Sequence, residues 1–319
     1  MKNMKDHGIM LLKERKDEHS RDRIPSNSIL EPEVLERINR LIYRARISVD
    51  GALSGLHKNY HIGQSVEFSQ HKEYSQGDDL SNLDWKAYAK SDRYFIKQYD
   101  TETNTRCIIL MDASASMDFG SISITKIDYA RLLAASIAFL LLNQFDEVGL
   151  LIASGDGFHY ISPHRGRQFI RKISENLITA EPRSAADLPG AFQFIADRLS
   201  RGIVIALSDL IADEEAVIRG ARYLHGKRND MMVLQIFDPC ELRFDFDEPW
   251  RFIGLEGEGE VQADPAAVRQ AYISEITTSV EKYRKGFKMN GIDHLLIETS
   301  TPPENALSRL IGTRTATVQ

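Results

Sequence analysis

Cysteine is scarce in this 319-residue chain, which carries only Cys107 and Cys240. A secreted protein of this size would more often be stabilised by disulfides, so the low number favours a reducing cytoplasm. No apolar run reaches the roughly 18–20 residues needed to cross a bilayer. The first residues are charged rather than apolar, unlike a signal peptide. We therefore expect a cytoplasmic protein without a membrane span.

An excess of positive charge is also lacking. The net charge is −6 and the isoelectric point is about 5.9. Between residues 58 and 99 the basic and acidic side chains balance one another, so no basic stripe lies hidden there. Because nonspecific attraction to phosphate backbones requires such a stripe, nucleic acid is not an expected partner.

Several catalytic motifs are missing from the sequence. There is no phosphate-binding Walker A loop and no Gly-x-Ser-x-Gly nucleophile elbow. The stretch Gly155-Asp156-Gly157 lacks the third glycine of a dinucleotide site, and the histidines do not follow a zinc-binding spacing. The sequence therefore predicts a protein that is not an enzyme.

The composition divides the chain into four parts. Residues 1–27 are rich in charge and predict a mobile polar tail. Residues 28–103 hold an amphipathic helix at 32–46, then an irregular segment that ends in a strand at 94–99. Residues 104–300 form the main domain, and residues 301–319 a C-terminal helix and tail.

The main domain alternates strands with helices, which predicts an open, mainly parallel, doubly wound α/β sheet of the Rossmann type. The predicted strands are 107–111, 148–153, 158–161, 203–207, 231–237 and 294–297. The predicted helices are 126–143, 165–177, 187–199, 213–224, 265–289 and one that starts near Pro303. Cys107 lies in the first of these apolar strands and is expected to be a buried, small hydrophobic side chain.

Acidic residues stand just beyond two of these strands. Asp112 follows the first strand, and Asp209 follows the strand at 203–207. In open α/β sheets, ligands bind beyond the carboxyl ends of the strands. Ser114 and Ser116 complete an Asp-x-Ser-x-Ser loop whose hard oxygen donors suit Mg²⁺, with one coordination position open to a carboxylate from a partner protein. The alternative is a turn in which these side chains cap the following helix.

The chain resembles the bacterial domain-of-unknown-function family 58. The resemblance is carried by Gly77-Asp78-Asp79-Leu80, by Leu83-Asp84-Trp85-Lys86, by the loop at 112–117, and by Asp238-Pro239. Members of this family carry a von Willebrand factor A domain and are often partnered with MoxR-type AAA+ ATPases. The resemblance therefore implies a von Willebrand factor A-like fold and a Mg²⁺-dependent adaptor that works with such an ATPase in the assembly or maturation of a client protein.

One position departs from the von Willebrand factor A pattern. The threonine that these domains use as a metal ligand corresponds to Ala186 in the stretch 184–188. A lost hydroxyl ligand weakens a metal site, so a metal-free structural scaffold stays open as an alternative. A hydrolase that uses a metal-bound water is a further alternative.

A second cluster of polar residues has two interpretations. Aspartates next to glycine commonly cap turns, while the same cluster would also form a docking surface for a partner. Its members are Gly77, Asp78, Asp79, Asp84, Trp85 and Lys86.

Overall fold

A computed structural model of the protein describes most of the chain. The described residues are 32–55, 67–73, 95–100, 105–144, 146–244, 250–253, 260–263 and 265–317. The predicted tail at 1–27 and the candidate docking residues Gly77, Asp78, Asp79, Asp84, Trp85 and Lys86 lie outside them. The chain forms two compact units, one of which is residues 59–105 and the other the rest of the chain.

Strands and helices alternate along much of the chain. The helices are α1 (Pro32–Gly55), α2 (Lys126–Asn143), α3 (Phe169–Thr179), α4 (Leu188–Ala196), α5 (Glu214–Gly226), α6 (Pro239–Arg243), α7 (Pro265–Met289) and α8 (Pro303–Thr317). The strands are β1 (Glu67–Glu73), β2 (Phe95–Asp100), β3 (Arg106–Asp112), β4 (Glu147–Ser154), β5 (Gly157–His164), β6 (Gly202–Ser208), β7 (Asn229–Phe237), β8 (Trp250–Ile253), β9 (Glu260–Ala263) and β10 (Asp293–Glu298).

Six strands form the central sheet, in the order β10-β7-β6-β3-β4-β5. Neighbouring strands are parallel, except that β5 returns antiparallel to β4 at one edge. The central strand β3 is buried from Cys107 to Asp112, as expected for a parallel strand covered on both faces. The predicted mainly parallel α/β fold and the predicted burial of Cys107 are therefore confirmed.

Helices cover both faces of this sheet. On one face, Ile108 and Leu110 of β3 join a buried apolar cluster that includes Phe192 of α4 and Phe287 of α7. On the other side of the sheet α2 contacts β3, and its outer surface packs against α1, α3 and α8. Because α2 is enclosed by helices and sheet, most of its side chains are buried, including Lys126 at its first position.

The first helix is longer than the pattern predicts. The prediction placed its end at residue 46, whereas α1 continues to Gly55. Ser48, Val49 and Ala52 of the added turns are buried, and α1 packs against α2 and α8. Tertiary packing therefore stabilises these turns in spite of the low helix propensity of Gly51.

Other predicted boundaries differ by a few residues, and two features were not predicted. Helix α3 begins at Phe169 rather than at 165, because residues 166–168 form a turn with Gly166 at a φ of 100°. The short helix α6 and the antiparallel pair of β8 and β9 were missed. Among the described residues, no helix combines the length and the apolar character needed to cross a membrane.

The smaller unit contains a second sheet. Strands β1 and β2 pair antiparallel, with an irregularity in register between Phe68 and Gln70. The strand predicted at 94–99 corresponds to β2 at Phe95–Asp100.

Candidate functional site

The carboxyl ends of β3 and β6 bring two predicted site residues together. These strands are adjacent and parallel, so Asp112 and Ser208, which end them, lie at the same edge of the sheet. The Ser208 hydroxyl donates to Asp112 Oδ2 at 2.5 Å, and Asp209 follows directly. Asp112 and Asp209 are 2% and 1% exposed, so this edge forms a buried acidic site rather than a solvated rim.

The loop after β3 places two serine hydroxyls beside these carboxylates. Asp112 Oδ1 accepts a hydrogen bond from Ser114 N at 2.8 Å, which fixes the start of the loop. Residues 115–118 then form a 3₁₀ turn that turns Ser116 back toward Ser114, and the two hydroxyl oxygens lie 2.7 Å apart. Both serines are buried. The structure therefore brings together Asp112, Ser114, Ser116 and Asp209 as the sequence anticipates.

The loop that carries Ala186 runs alongside the serine loop. Ser184 O accepts from Ala115 N at 2.9 Å, and Arg183 N donates to Ala113 O at 3.0 Å. Ala186 packs against the apolar cluster on the sheet, and the Asp187 carboxylate caps α4 through Gly190 N at 2.8 Å. This loop supports the site through its backbone, while position 186 offers no hydroxyl.

A buried lysine enters the site from α2, and sequence reasoning missed it. Lys126 Nζ donates to Asp209 Oδ2 at 2.8 Å and to Glu241 Oε1 at 2.6 Å. The Lys126 side chain is 0% exposed. A lysine at the first position of an apolar helix is usually solvated. The only sequence feature that could have indicated its burial is its position at the start of a helix with almost no other charged residue.

Glu241 belongs to a capping box that fixes the start of α6. Its Oε2 accepts from Asp238 N at 2.9 Å, while Asp238 Oδ1 accepts from Cys240 N at 2.8 Å. Asp238 Oδ2 also accepts from Ser121 N at 2.9 Å, which ties the loop before α2 to α6. The spacing Asp238-x-x-Glu241 is a recognisable sequence signature of such a box, although it does not reveal the contact with Lys126.

The site carries more negative than positive charge. Lys126 faces two carboxylates, and Asp112 lies close enough to Asp209 for the two to repel. Burial, followed by the charge of Asp209, raises the pKa of Asp112 to about 6. Burial raises the pKa of Glu241 to about 7 against the attraction of Lys126. Burial lowers the pKa of Lys126, but Asp209 and Glu241 outweigh it, so the net shift is upward and the ammonium is charged.

The pKa of Asp112 predicts how pH affects the stability of the metal-free protein. The folded pKa of about 6 exceeds the ordinary value of 3.8, so the folded state binds more protons between these values. The contribution of protonated Asp112 to the free energy of unfolding is fully present below about pH 4 and is lost as the pH rises through 6. Converted at 1.36 kcal/mol per pH unit, the loss is at most about 3 kcal/mol.

Asp112→Asn should remove this loss. In urea denaturation with a chelator present, the variant should be more stable than the wild type at pH 7.5, and the gap should narrow at pH 4.5. A wild-type protein that is more stable than the variant at pH 7.5 would contradict the assigned cost of the buried Asp112 charge.

The donor set resembles that of a hard cation site. Among the described residues, no group of three or more His, Cys, Asp or Glu side chains is placed to hold a metal. A zinc site or a site built from carboxylates alone would need such a group. Carboxylate and hydroxyl oxygens are instead the donors that Mg²⁺ prefers, with water in its remaining positions. Asp112, Ser114 and Ser116 fit this chemistry, and the surplus negative charge favours a cation.

The family model described as "Protein of unknown function DUF58" matches residues 70–282, about two thirds of the chain. The chain belongs to the DUF58 family. Relatives of this DUF58 protein include uncharacterized proteins of Mycobacterium tuberculosis and Mycobacterium bovis. Each is 26% identical over 219 residues, which cover 66% of this chain and 68% of the relative.

Solved structures similar to this DUF58 protein are more distant. The conserved hypothetical protein BatB from Bacteroides thetaiotaomicron is 17% identical, with a TM-score of 0.40. The match covers 66% of this chain and 99% of the BatB chain. The SpRpn10 VWA domain is 14% identical, with a TM-score of 0.39. The match covers 64% of this chain and 94% of the SpRpn10 chain. At these scores the likeness is weak.

Proposed function

We propose that this DUF58 protein is a non-enzymatic adaptor that binds an acidic side chain of a partner protein through Mg²⁺. Asp112, Ser114 and Ser116 would hold the ion, and Asp209 would face it through water. The observation that carries this proposal is the buried site at the ends of β3 and β6, where the carboxylates of Asp112 and Asp209 lie beside two hydroxyls in contact. When bound, the ion would supply a Lewis-acidic contact for a carboxylate.

The incomplete ligand set supports a role in binding. Mg²⁺ requires six oxygen ligands, and Ala186 supplies none. Positions left to water would be the ones that exchange for a partner's carboxylate. The loop that joins the serine turn to α2 exposes Ile122, at 40%, and Ser123, so a partner would find both apolar and polar contacts close by.

The family resemblance suggests the class of partner. Proteins of this family often work with MoxR-type AAA+ ATPases, so we propose such an ATPase, or its client, as the partner. The ATPase would supply the energy for a chaperone-like assembly or maturation step. The adaptor would supply recognition through the site at Asp112.

A metal-free scaffold is the second candidate. Two observations favour it: position 186 lacks the hydroxyl, and Lys126 already provides a cation inside the site. In that case the protein would bind its partner equally well with and without divalent cations.

Affinity capture from a native cell lysate, read by mass spectrometry, tests the proposal. The wild type with Mg²⁺ should retain an AAA+ ATPase, and both a chelator and Asp112→Ala should release it, because each removes the bridging ion. Asp213→Ala is the matched control, since this exposed aspartate only caps α5 through Ala216 N at 3.0 Å. Retention of the ATPase in the chelator and by Asp112→Ala would support the scaffold instead. Absence of any ATPase from the wild type would contradict the proposed partner.

A further inference from the structure

Two carboxylates and two aromatic rings surround the ammonium of Lys126. Beside the contacts with Asp209 and Glu241, the rings of Phe119 and Phe237 lie 6.0 and 5.9 Å from Nζ. Both rings belong to buried residues, so the ammonium has no access to solvent. Its positive charge is therefore part of the site, since the carboxylates hold its pKa above the ordinary value.

Asp209 is already engaged at both carboxylate oxygens. Oδ1 accepts from Ile211 N at 3.1 Å, and Oδ2 accepts from Lys126 Nζ at 2.8 Å. The ammonium provides what a bound cation would provide to this carboxylate, namely positive charge at short range. Two cations beside the same carboxylate repel each other, and burial leaves that repulsion poorly screened.

We infer that Lys126 sets the affinity of the acidic site for divalent cations, because its ammonium and the ion compete for the same negative charge. The site therefore holds Mg²⁺ weakly enough for the ion to exchange, and the metal-free protein keeps a counter-ion for Asp209 and Glu241. This inference rests on the proposed function for the identity of the ion. Its expectation for Lys126 variants holds whether or not the wild type binds the ion measurably.

The direction in which Mg²⁺ affinity changes when Lys126 is replaced distinguishes this role from a structural one. If Lys126 merely braced the site, its removal would disorder the ligands and weaken metal binding. If it competes with the ion, its removal strengthens metal binding. Removal of the Glu241 charge should have the reverse effect, because the site then becomes less negative.

The experiment is a calorimetric Mg²⁺ titration of the full chain as wild type, Lys126→Met and Glu241→Gln. Lys126→Met should bind at least roughly ten-fold more tightly than the wild type, and Glu241→Gln should bind more weakly. Lys172→Met is the matched control, since this exposed lysine of α3 lies over the ring of Phe169 and should leave the affinity unchanged. Circular dichroism with and without Mg²⁺ reports the folding of each variant.

Two results would overturn the inference. One is a folded Lys126→Met that binds Mg²⁺ no more tightly than the wild type, and the other is a Lys126→Met that stays unfolded at saturating Mg²⁺. When the wild type binds Mg²⁺, weaker binding by Glu241→Gln supports the inference. Unchanged or tighter binding by Glu241→Gln counts against it. If the wild type shows no binding while Lys126→Met binds, the proposed Mg²⁺-dependent function fails and the inference stands.

Discussion

Replacement of Lys126 with Met should lower the free energy of unfolding of the metal-free protein by about 3–5 kcal/mol. The substitution keeps the length of the side chain but leaves Asp209 and Glu241 buried without their shared counter-ion. Guanidinium denaturation in the presence of a chelator measures the change. Lys172→Met, which alters an exposed lysine, should change the stability by less than about 0.5 kcal/mol.

The double variant Lys126→Met/Glu241→Gln identifies charge as the cause. With one carboxylate neutralised, fewer unpaired charges remain buried, so the double variant should be more stable than Lys126→Met alone. The coupling energy from the double-mutant cycle should exceed about 1 kcal/mol, as expected for groups in direct contact. Losses that simply add would mean that the pair between Lys126 and Glu241 contributes nothing, so that the lysine stabilises through its pair with Asp209 and through packing.

Replacement of Ser114 and Ser116 together with Ala should weaken Mg²⁺ binding by at least roughly 100-fold, or about 2.7 kcal/mol. Both neutral oxygen donors would be lost while the charge of the site stays the same. The stability of the metal-free protein should fall only modestly, because the two buried hydroxyls contact each other and are removed together, and only the side-chain hydrogen bond from Ser114 to Asp112 is left without its donor. Calorimetric titration and chemical denaturation measure the two effects.

Ser136→Ala is the matched control for the serine pair. Ser136 is a buried serine of α2 whose hydroxyl donates to Leu132 O at 2.7 Å, ten residues along the helix from Lys126. Its removal should leave Mg²⁺ affinity unchanged. A double serine variant that retains wild-type affinity would show that charge alone, rather than coordination, attracts the ion.

Sequence patterns predict the sheet and the acidic edge because both depend on short-range rules. Apolar runs that end in Asp112 and in Ser208-Asp209 predict buried parallel strands, and parallel neighbours place their carboxyl ends together. The Asp-x-Ser-x-Ser spacing predicts oxygen donors in the loop after Asp112, and the structure places the two serine hydroxyls in contact there.

The remaining parts of the site depend on contacts between distant segments. Lys126 meets Asp209 and Glu241 across sequence separations of 83 and 115 residues, and no local pattern records such a meeting. The buried end of α1 depends on its packing against α2 and α8 in the same way, so the apolar periodicity alone predicted too short a helix. The backbone support from the loop at 183–184 is likewise invisible in a single sequence, because main-chain hydrogen bonds do not constrain residue identity.

The most direct test of the central claim is a calorimetric titration of the wild-type protein with Mg²⁺, with Asp112→Ala as the reference. We predict saturable binding of one ion per chain to the wild type and none to the variant, because Asp112 is the charged ligand of the proposed set. Absence of binding to the wild type, or equal binding by both proteins, would contradict a metal-bridged adaptor at the ends of β3 and β6.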